Sequence, residues 1–339
     1  MRVLVCGAQV PFTRGGAELH MENLLTALRG AGHEAELVRL PVAWDAERVL
    51  ESALAWRSVP LDGDVVVTTN FPSYFARHPR KVVWLFHQHR AAYDAADAPW
   101  SGMGDDDASL ELQRLLADWD TRVLEEATAL FTTSATVADR LVRYNGLEAT
   151  PLAHPPPLAD RLVGGTSGDY VFCPTRLAAN KRPELLAGAM AHCGTGVRAV
   201  IAGTGPLRPD LERLARGAGL GGRLELAGFV GDDELVALYA GSLAVVYAPF
   251  DEDYGYVTLQ AFLASKPVVT CTDSGGVLEW VRHGENGLVV EPTAEAVGAA
   301  VERLAADPGL ARRLGSAGRR SVEDLRWEPV VQRLLGPAS

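Results

Sequence analysis

The stretch PFDEDYGYVTLQAFLASKPVVTC, residues 249–271, decides how the rest of the chain is read. It opens on the end of the apolar run LAVVYAP (243–249) and passes through an acidic loop. A short helical stretch follows, and a second apolar run closes it at VVTC. Strand, loop, helix and strand in this order form a βαβ unit, and strands that are apolar almost throughout belong to a parallel sheet covered on both faces. Glu252 precedes Gln260 by eight residues, which places a carboxylate on the loop and an amide on the helix. Such a loop delivers a polar ligand to a helix N-terminus, where open N–H groups and the positive dipole end favour anions.

Working outward, the same alternation fills the chain. RVLVCGA (2–8), EAELVRL (34–40), DVVVTT (64–69), KVVWLF (81–86) and ATALFTTS (127–134) read as strands. The helices expected between them lie at about 17–30, 45–56 and 108–127, the last with Leu112, Leu115, Leu116, Trp119 and Val123 at helical spacing. Around residue 150 the texture changes to TPLAHPPPLADRLVGGTSGD, where Pro155, Pro156 and Pro157 rule out helix and impose an extended connection. The pattern then restarts with YVFCPT (170–175), RAVIAG (198–203), LELAG (224–228) and LAVVYAP. The fold class expected is α/β, with two doubly wound parallel-sheet, Rossmann-like domains facing a cleft. The first covers 1–160 and the second 169–310, with helices at 311–339. Ligands of such sheets bind outside the carboxyl ends of the strands.

At 339 residues the chain exceeds what one core usually serves. Its 32 basic and 43 acidic residues give a net charge of −11, which argues against nucleic-acid binding and against adhesion to anionic lipid. Cys6, Cys173, Cys193 and Cys271 stand singly, so neither a zinc site nor a disulfide framework is expected. Met1–Cys6 enters a strand pattern directly, and no apolar run reaches the ~18 residues of a membrane span, so a cytoplasmic location is expected.

Arg176 and Lys181 follow the strand YVFCPT, where a guanidinium fork and an ammonium neutralise phosphate, or else stand as an ordinary pair of solvated cations. Gly203-Thr204-Gly205 ends the next strand as a turn open to close approach. Phe229 and Val230 follow LELAG and present backbone groups and an apolar face to a base, or else pack in the core. His87 and His89 end KVVWLF on one face, but no third ligand is near in sequence, so polar contact outweighs metal. Asp251 and Asp253 suggest a cation, which the Arg176/Lys181 pair makes unnecessary; Asp105–Asp107 read as a solvated loop and helix start.

These motifs, in this order and spacing, resemble the GT-B-fold retaining glycosyltransferases of the large family four (glycosyl transferases group 1). The segments that carry the likeness are RGGAELHMENLLTALRGAGHEAELV (14–38), PTRLAANKRPELL (174–186), AGTGPLRPDL (202–211) and LAGFVGDDELVALYAGS (226–242). YAPFDEDYGYVTLQAFLASKPVVTCTDSGGVLEWV (247–281) and HGENGLVVEP (283–292) complete it. The resemblance implies that Gly15 and Gly16 lie under the donor diphosphate, and that Arg176 and Lys181 clamp its phosphates. It also implies that Phe229 and Val230 meet the base and that Glu252 sits by the hydroxyls of the transferred sugar. Backbone amides of Gly255, Tyr256, Val257 and Thr258 would hold the distal phosphate, and His87 would lie near the reaction centre. It further implies retention of configuration, no bound metal, no cofactor and no covalent nucleophile, with the leaving phosphate oxygen helping to deprotonate the acceptor.

Two positions depart from the family pattern. Gln260 stands where a second glutamate accepts hydrogen bonds from the ribose, and Pro174-Thr175 stand before Arg176 where a glycine is usual. The donor expected is a nucleotide-diphosphate sugar, with UDP or GDP as the nucleotide, and the acceptor a soluble small molecule or natural product. Phe12, Phe71, Tyr74, Tyr93 and Trp100 are the aromatic residues offered to that acceptor, or to packing. The rival readings are a nucleotide-sugar epimerase or hydrolase on the same fold, which consumes donor alone, and a nucleotide-sugar-binding protein without turnover.

Overall fold

The computed structural model describes residues 1–336 other than 13, 14, 47, 97, 99, 100, 102, 103, 105, 167 and 195. Trp100 and Asp105 of the sequence reading lie outside the described residues. The chain divides into two units, Met1–His154 with Arg326–Ser339, and Pro155–Leu325.

The first unit holds six parallel strands: β1 (Arg2–Gln9), β2 (Glu34–Pro41), β3 (Val65–Thr68), β4 (Lys81–Leu85), β5 (Ala129–Thr132) and β6 (Thr150–Pro151). Their order is β2-β1-β3-β4-β5-β6, so the direction of winding reverses between β1 and β3. Side chains alternate across the pleat. Val3, Val5, Val65, Val67 and Trp84 face one apolar layer, and Cys6, Val66, Val83 and Leu85 the other. Helix α1 (Gly16–Gly30) covers the first face with Met21, Leu24 and Leu28; α2 (Val49–Ser58) and α3 (Asp107–Glu125) cover the second. The strand and helix expectations hold within a few residues. Helix α4 (Ala135–Asn145) and the short β6 went unread. The signals for α4 are present: Ser134 caps its start, accepting from the Val137 amide at 3.1 Å, and Gly146 closes it at φ 67°.

The second unit repeats the plan with β7 (Tyr170–Pro174), β8 (Arg198–Ala202), β9 (Leu224–Gly228), β10 (Ala244–Val246), β11 (Val268–Cys271) and β12 (Gly287–Val290). The order β12-β11-β10-β7-β8-β9 places β7 and β10 side by side at the point where winding reverses. Val171, Ile201, Val246 and Val269 face α5 (Pro183–Ala189) and α9 (Ala294–Ala306). Phe172, Val200, Val245 and Val268 face α8 (Tyr256–Leu263) and Tyr239 of α7 (Asp232–Gly241). Helix α6 (Arg208–Gly217) precedes β9.

The helices expected at 311–339 are divided between the units. Helix α10 (Pro308–Val322) stays with the second, Gly318 resting so closely on the Phe262 ring that a Cβ would come within 2.3 Å of it. Helix α11 (Trp327–Leu335) belongs to the first, burying Val330, Val331, Leu334 and Leu335 in the layer that holds α1. Trp327 packs edge-on against Trp84 at 6.1 Å and tilted on His154 at 5.5 Å. The four cysteines are free and buried.

The first unit also buries His20 and His154, whose Nδ1 and Nε2 are 3.2 Å apart. Burial holds His20 down to about 3 and His154 well below the ordinary histidine range; His89 lies at about 4, through burial first and the neighbouring His87 second. A histidine whose folded pKa is depressed binds its proton only in the unfolded chain, so stability falls as pH drops below ~6.5, by up to ~1.4 kcal/mol per unit and group. Asp120 opposes them, because burial raises it to about 7 and acid favours its folded form. Three groups outweigh one. The first unit is therefore expected to unfold between about pH 6 and 4, and far-UV circular dichroism against pH checks this. Full retention of signal at pH 4 would show that the pair accepts protons while folded.

Candidate functional site

Arg176 and Lys181 come from the loop after β7, and Glu252 from the loop after β10, so the reversal between these strands brings all three to one sheet edge. The Phe250 amide donates to Asn180 O at 2.8 Å and ties the two loops together. Lys181 Nζ meets Glu252 Oε2 in an ion pair whose side chains are only 15% and 13% exposed. Tyr247, from the same turn, donates to that oxygen at 2.9 Å. Burial first, and the Glu252 charge second, drive the Tyr247 phenol well above its usual range, so it remains a donor. Arg176 is exposed and forms no ion pair among the described residues.

The residue that holds this edge together is Arg182, which the sequence reading passed over in favour of Arg176 and Lys181. Its fork binds Asp273 at 2.6 and 2.7 Å, while Nε and Nη2 donate to the carbonyls of Ala248 and Pro249, both at 2.8 Å. The segment after β11 presses on the acidic loop from the other side. Asp251 and Glu252 donate their amides to Asp273 O and Ser274 O, and the Gly276 amide donates to Glu252 O at 2.7 Å. A Cβ on Gly275 (φ 58°) would lie 2.7 Å from Glu252 O, so only glycine permits this approach. The signal for it, TDSGG at 272–276, lies in the quoted motif.

Gly203 and Gly205 differ from expectation. At φ 143° and 157°, a Cβ on either would run into the chain's own backbone, 1.9 Å from Thr175 O and 2.4 Å from Leu177 O. Their open side is filled by the Arg176 loop itself, and the Gly203 amide donates to Gly228 O at 2.7 Å. The turn therefore shapes the Arg176 loop instead of leaving a gap for a ligand. Phe229, just past β9, is 83% exposed, and Val230 is half-buried in the layer beneath α8.

Gly255 enters α8 in the left-handed region at φ 83°. The Thr258 amide turns back to Gly255 O at 2.9 Å, and its buried hydroxyl meets no partner among the described residues. Gln260 also differs from expectation. It is 7% exposed, its Oε1 accepts from Tyr239 at 3.0 Å, and its Nε2 donates to Pro157 O at 3.1 Å. Each end of the amide thus has one partner inside the protein.

In the first unit, Gly15 and Gly16 stand at the start of α1, beyond the carboxyl end of β1. The Gly15 amide donates to Glu18 Oε2 at 2.9 Å. His87 follows β4 and is half-buried, with Nδ1 2.7 Å from Gln88 O. A carbonyl only accepts, so Nδ1 carries the proton and the neutral ring keeps Nε2 as a base. His89 turns into the core and stacks on Trp44 at 5.4 Å, so the two histidines do different work. Among the described residues no group of His, Cys, Asp and Glu is arranged to hold a metal. Phe71, Tyr74 and Tyr93 are core residues, Tyr93 donating to Asp120 at 2.6 Å; Phe12 alone of the described acceptor candidates is exposed.

Residues 165–321 match the family described as glycosyl transferases group 1. An alpha-D-kanosaminyltransferase of Streptomyces kanamyceticus is 36% identical over 144 residues, 41% of this chain and 37% of the relative. A GDP-mannose-dependent alpha-(1-6)-phosphatidylinositol monomannoside mannosyltransferase of Mycobacterium tuberculosis is 34% identical over 178 residues, 48% and 46% of the two chains. The matched part thus spans between a third and a half of these relatives' length. The sucrose-phosphate synthase of Thermosynechococcus elongatus superposes with a TM-score of 0.79 at 19% identity, covering 98% of this chain and 96% of that one. Anabaena HepE, solved with UDP-glucose, superposes with a TM-score of 0.75 at 17% identity, covering 99% and 98%. The fold is that of the GT-B glycosyltransferases. The likeness to the group 1 family lies in the second unit, over residues 165–321. Among the described residues no helix is long and apolar enough to cross a membrane.

Proposed function

We propose that the chain is a retaining glycosyltransferase that moves a sugar from a nucleotide-diphosphate sugar, with UDP or GDP as the nucleotide, to a soluble small-molecule acceptor in the cytoplasm. The observation that carries this reading is the meeting of Lys181 and Glu252, 71 residues apart, at the β7/β10 edge. A cation for phosphate and a carboxylate for sugar hydroxyls stand side by side there, as transfer from a diphosphate leaving group requires. Arg176 and Lys181 balance the charge that develops on the diphosphate, without need of a metal or cofactor. The amides of Gly255, Tyr256 and Val257 and the Thr258 hydroxyl take the distal phosphate, and Phe229 with Val230 takes the base. Glu252 orients the sugar. The GDP-mannose-dependent mannosyltransferase relative and the HepE structure solved with UDP-glucose support a nucleotide-sugar donor.

Glu252→Gln tests the assignment. The amide keeps the shape and the Tyr247 bond but loses the charge that pairs with Lys181. Turnover should fall by roughly 10²-fold while affinity for the bare nucleotide diphosphate changes by less than ~3-fold. Steady-state kinetics beside calorimetry separates the two; an equal loss in both would place Glu252 on the nucleotide. Donor consumed without acceptor in the wild type would favour the hydrolase instead.

A further inference from the structure

We infer that Gln260 is a positioning residue, fastening the entry of the chain into the second unit onto α7 and α8, and that this task requires an amide and excludes a carboxylate. The inference rests on internal geometry and is independent of the proposed reaction. The entry segment begins with Pro155, Pro156 and Pro157, none of which has an N–H to give. Their carbonyls are the polar groups they offer, and Pro157 is buried. A buried carbonyl needs a donor, and Gln260 Nε2 supplies it at 3.1 Å. The same amide accepts from Tyr239 at 3.0 Å, so one side chain joins α8, α7 and the entry segment. Because Pro157 O only accepts, it fixes which end of the amide faces it.

The residue that follows shows why a fastening is needed. Leu158 sits at φ 62°, a region a branched side chain seldom adopts unless its surroundings hold it. The turn is closed by the amides of Arg161 and Leu162, which donate to Leu158 O at 2.9 and 3.1 Å, and Leu162 is buried. Two further polar ties lead from this segment to α7: the ion pair of Arg161 with Asp233 at 2.5 Å, whose partners are 40% and 98% exposed, and the Gly168 amide on Gly241 O at 2.7 Å, at the far end of the segment. An exposed pair holds little. The buried amide of Gln260 is the tie next to the turn itself.

A glutamate at this position would turn an acceptor toward an acceptor. Ionised, it would face the Pro157 carbonyl without a hydrogen and lose solvation; protonated, it would donate and restore the bond. Its folded pKa would then exceed its unfolded one, so its stability deficit grows as pH rises and closes as pH falls. The groups around α8 that bear on this are Tyr239 on α7, Tyr247 just past β10 and Cys173 on β7, all raised by burial and uncharged at neutral pH. Arg319 of α10 donates to Leu263 O. Lys266, lowered to about 8 by burial, begins to deprotonate at the upper end, so each variant is compared with wild type at the same pH.

Thermal unfolding and amide hydrogen exchange of wild type, Gln260→Glu and Gln260→Met at pH 5.5 and 8 test the inference. Gln260→Glu should melt roughly 3–6 °C below wild type at pH 8, with at least half of that gap closed at pH 5.5. The Arg161 and Leu162 amides should exchange at least ~10-fold faster than wild type in Gln260→Glu at pH 8, and in Gln260→Met at both pH values. A Gln260→Glu gap equal at the two pH values, or wild-type stability at pH 8, would overturn the inference. Should Gln260→Glu fold at neither pH, wild-type protection of Arg161 and Leu162 in Gln260→Met would overturn it, and faster exchange there would support it.

Discussion

Lys181→Met is expected to lower turnover of the donor sugar by roughly 10²–10³-fold and to lower the melting temperature as well. Methionine keeps most of the stem but removes the ammonium that Glu252 meets in a site where both side chains are mostly buried. Two consequences follow from one deletion. The leaving diphosphate loses a positive charge placed where its own charge grows, and Glu252 is left with the Tyr247 hydroxyl alone at 2.9 Å. A carboxylate stranded in this way costs several kcal/mol, which is why melting should fall together with activity. Arg176→Met is the control that separates the two effects. Arg176 is exposed and forms no ion pair among the described residues, so its loss should cut turnover while melting stays within ~1 °C. Single-turnover kinetics and calorimetric scans of both variants decide the matter. Wild-type turnover in both would remove the phosphate assignment from this strand edge.

Gly203→Ala is expected to destabilise the second unit by roughly 3–6 kcal/mol, or to prevent its folding, although it adds one methyl group. The added Cβ would lie 1.9 Å from Thr175 O, and the backbone would hold φ 143°, which L residues rarely adopt. A flexible side chain could move aside, but here the obstacle is a carbonyl of the next loop. That loop is fixed in turn by the Thr175 amide on Ala202 O at 2.9 Å. Denaturant unfolding measures the loss, and Gly221→Ala, which meets nothing within 4 Å, should stay within ~0.5 kcal/mol of wild type. Equal stability of the two variants would mean that the β7 and β8 loops part without cost. Arg176 rides on the loop that Gly203 supports, so any folded Gly203→Ala should also lose turnover.

Much of this was legible in the residues. Runs such as DVVVTT and RAVIAG can only be strands buried on both faces, and β3 and β8 lie inside their sheets as such runs require. Spacing alone left Arg176 and Lys181 open between phosphate ligands and solvated cations, and the structure brings Lys181 onto Glu252. Helix α4 was missed because ATALFTTS was read as ending in small polar residues. Its last residue, Ser134, is the cap of the helix that follows. For the aromatic residues Phe71, Tyr74 and Tyr93, which the sequence offered equally to an acceptor or to packing, the structure decides for packing in the core. Composition cannot tell a buried ring from an exposed one when both follow a strand.

What the sequence determined by itself was local: which segments are strands and helices, and where the chain changes texture at the three prolines. Periodicity, capping and proline act over a few residues, so they can be read in order along the chain. Only the tertiary structure decided the partners. It showed Arg182 on Asp273, 91 residues away, as the clamp of the acidic loop, and Gly203 yielding its space to Thr175. It also showed Gln260 spent between Tyr239 and Pro157, 103 residues before it. Hydrogen bonds and close backbone approaches depend on distances that strand order creates, and strand order is not written in any one stretch of sequence.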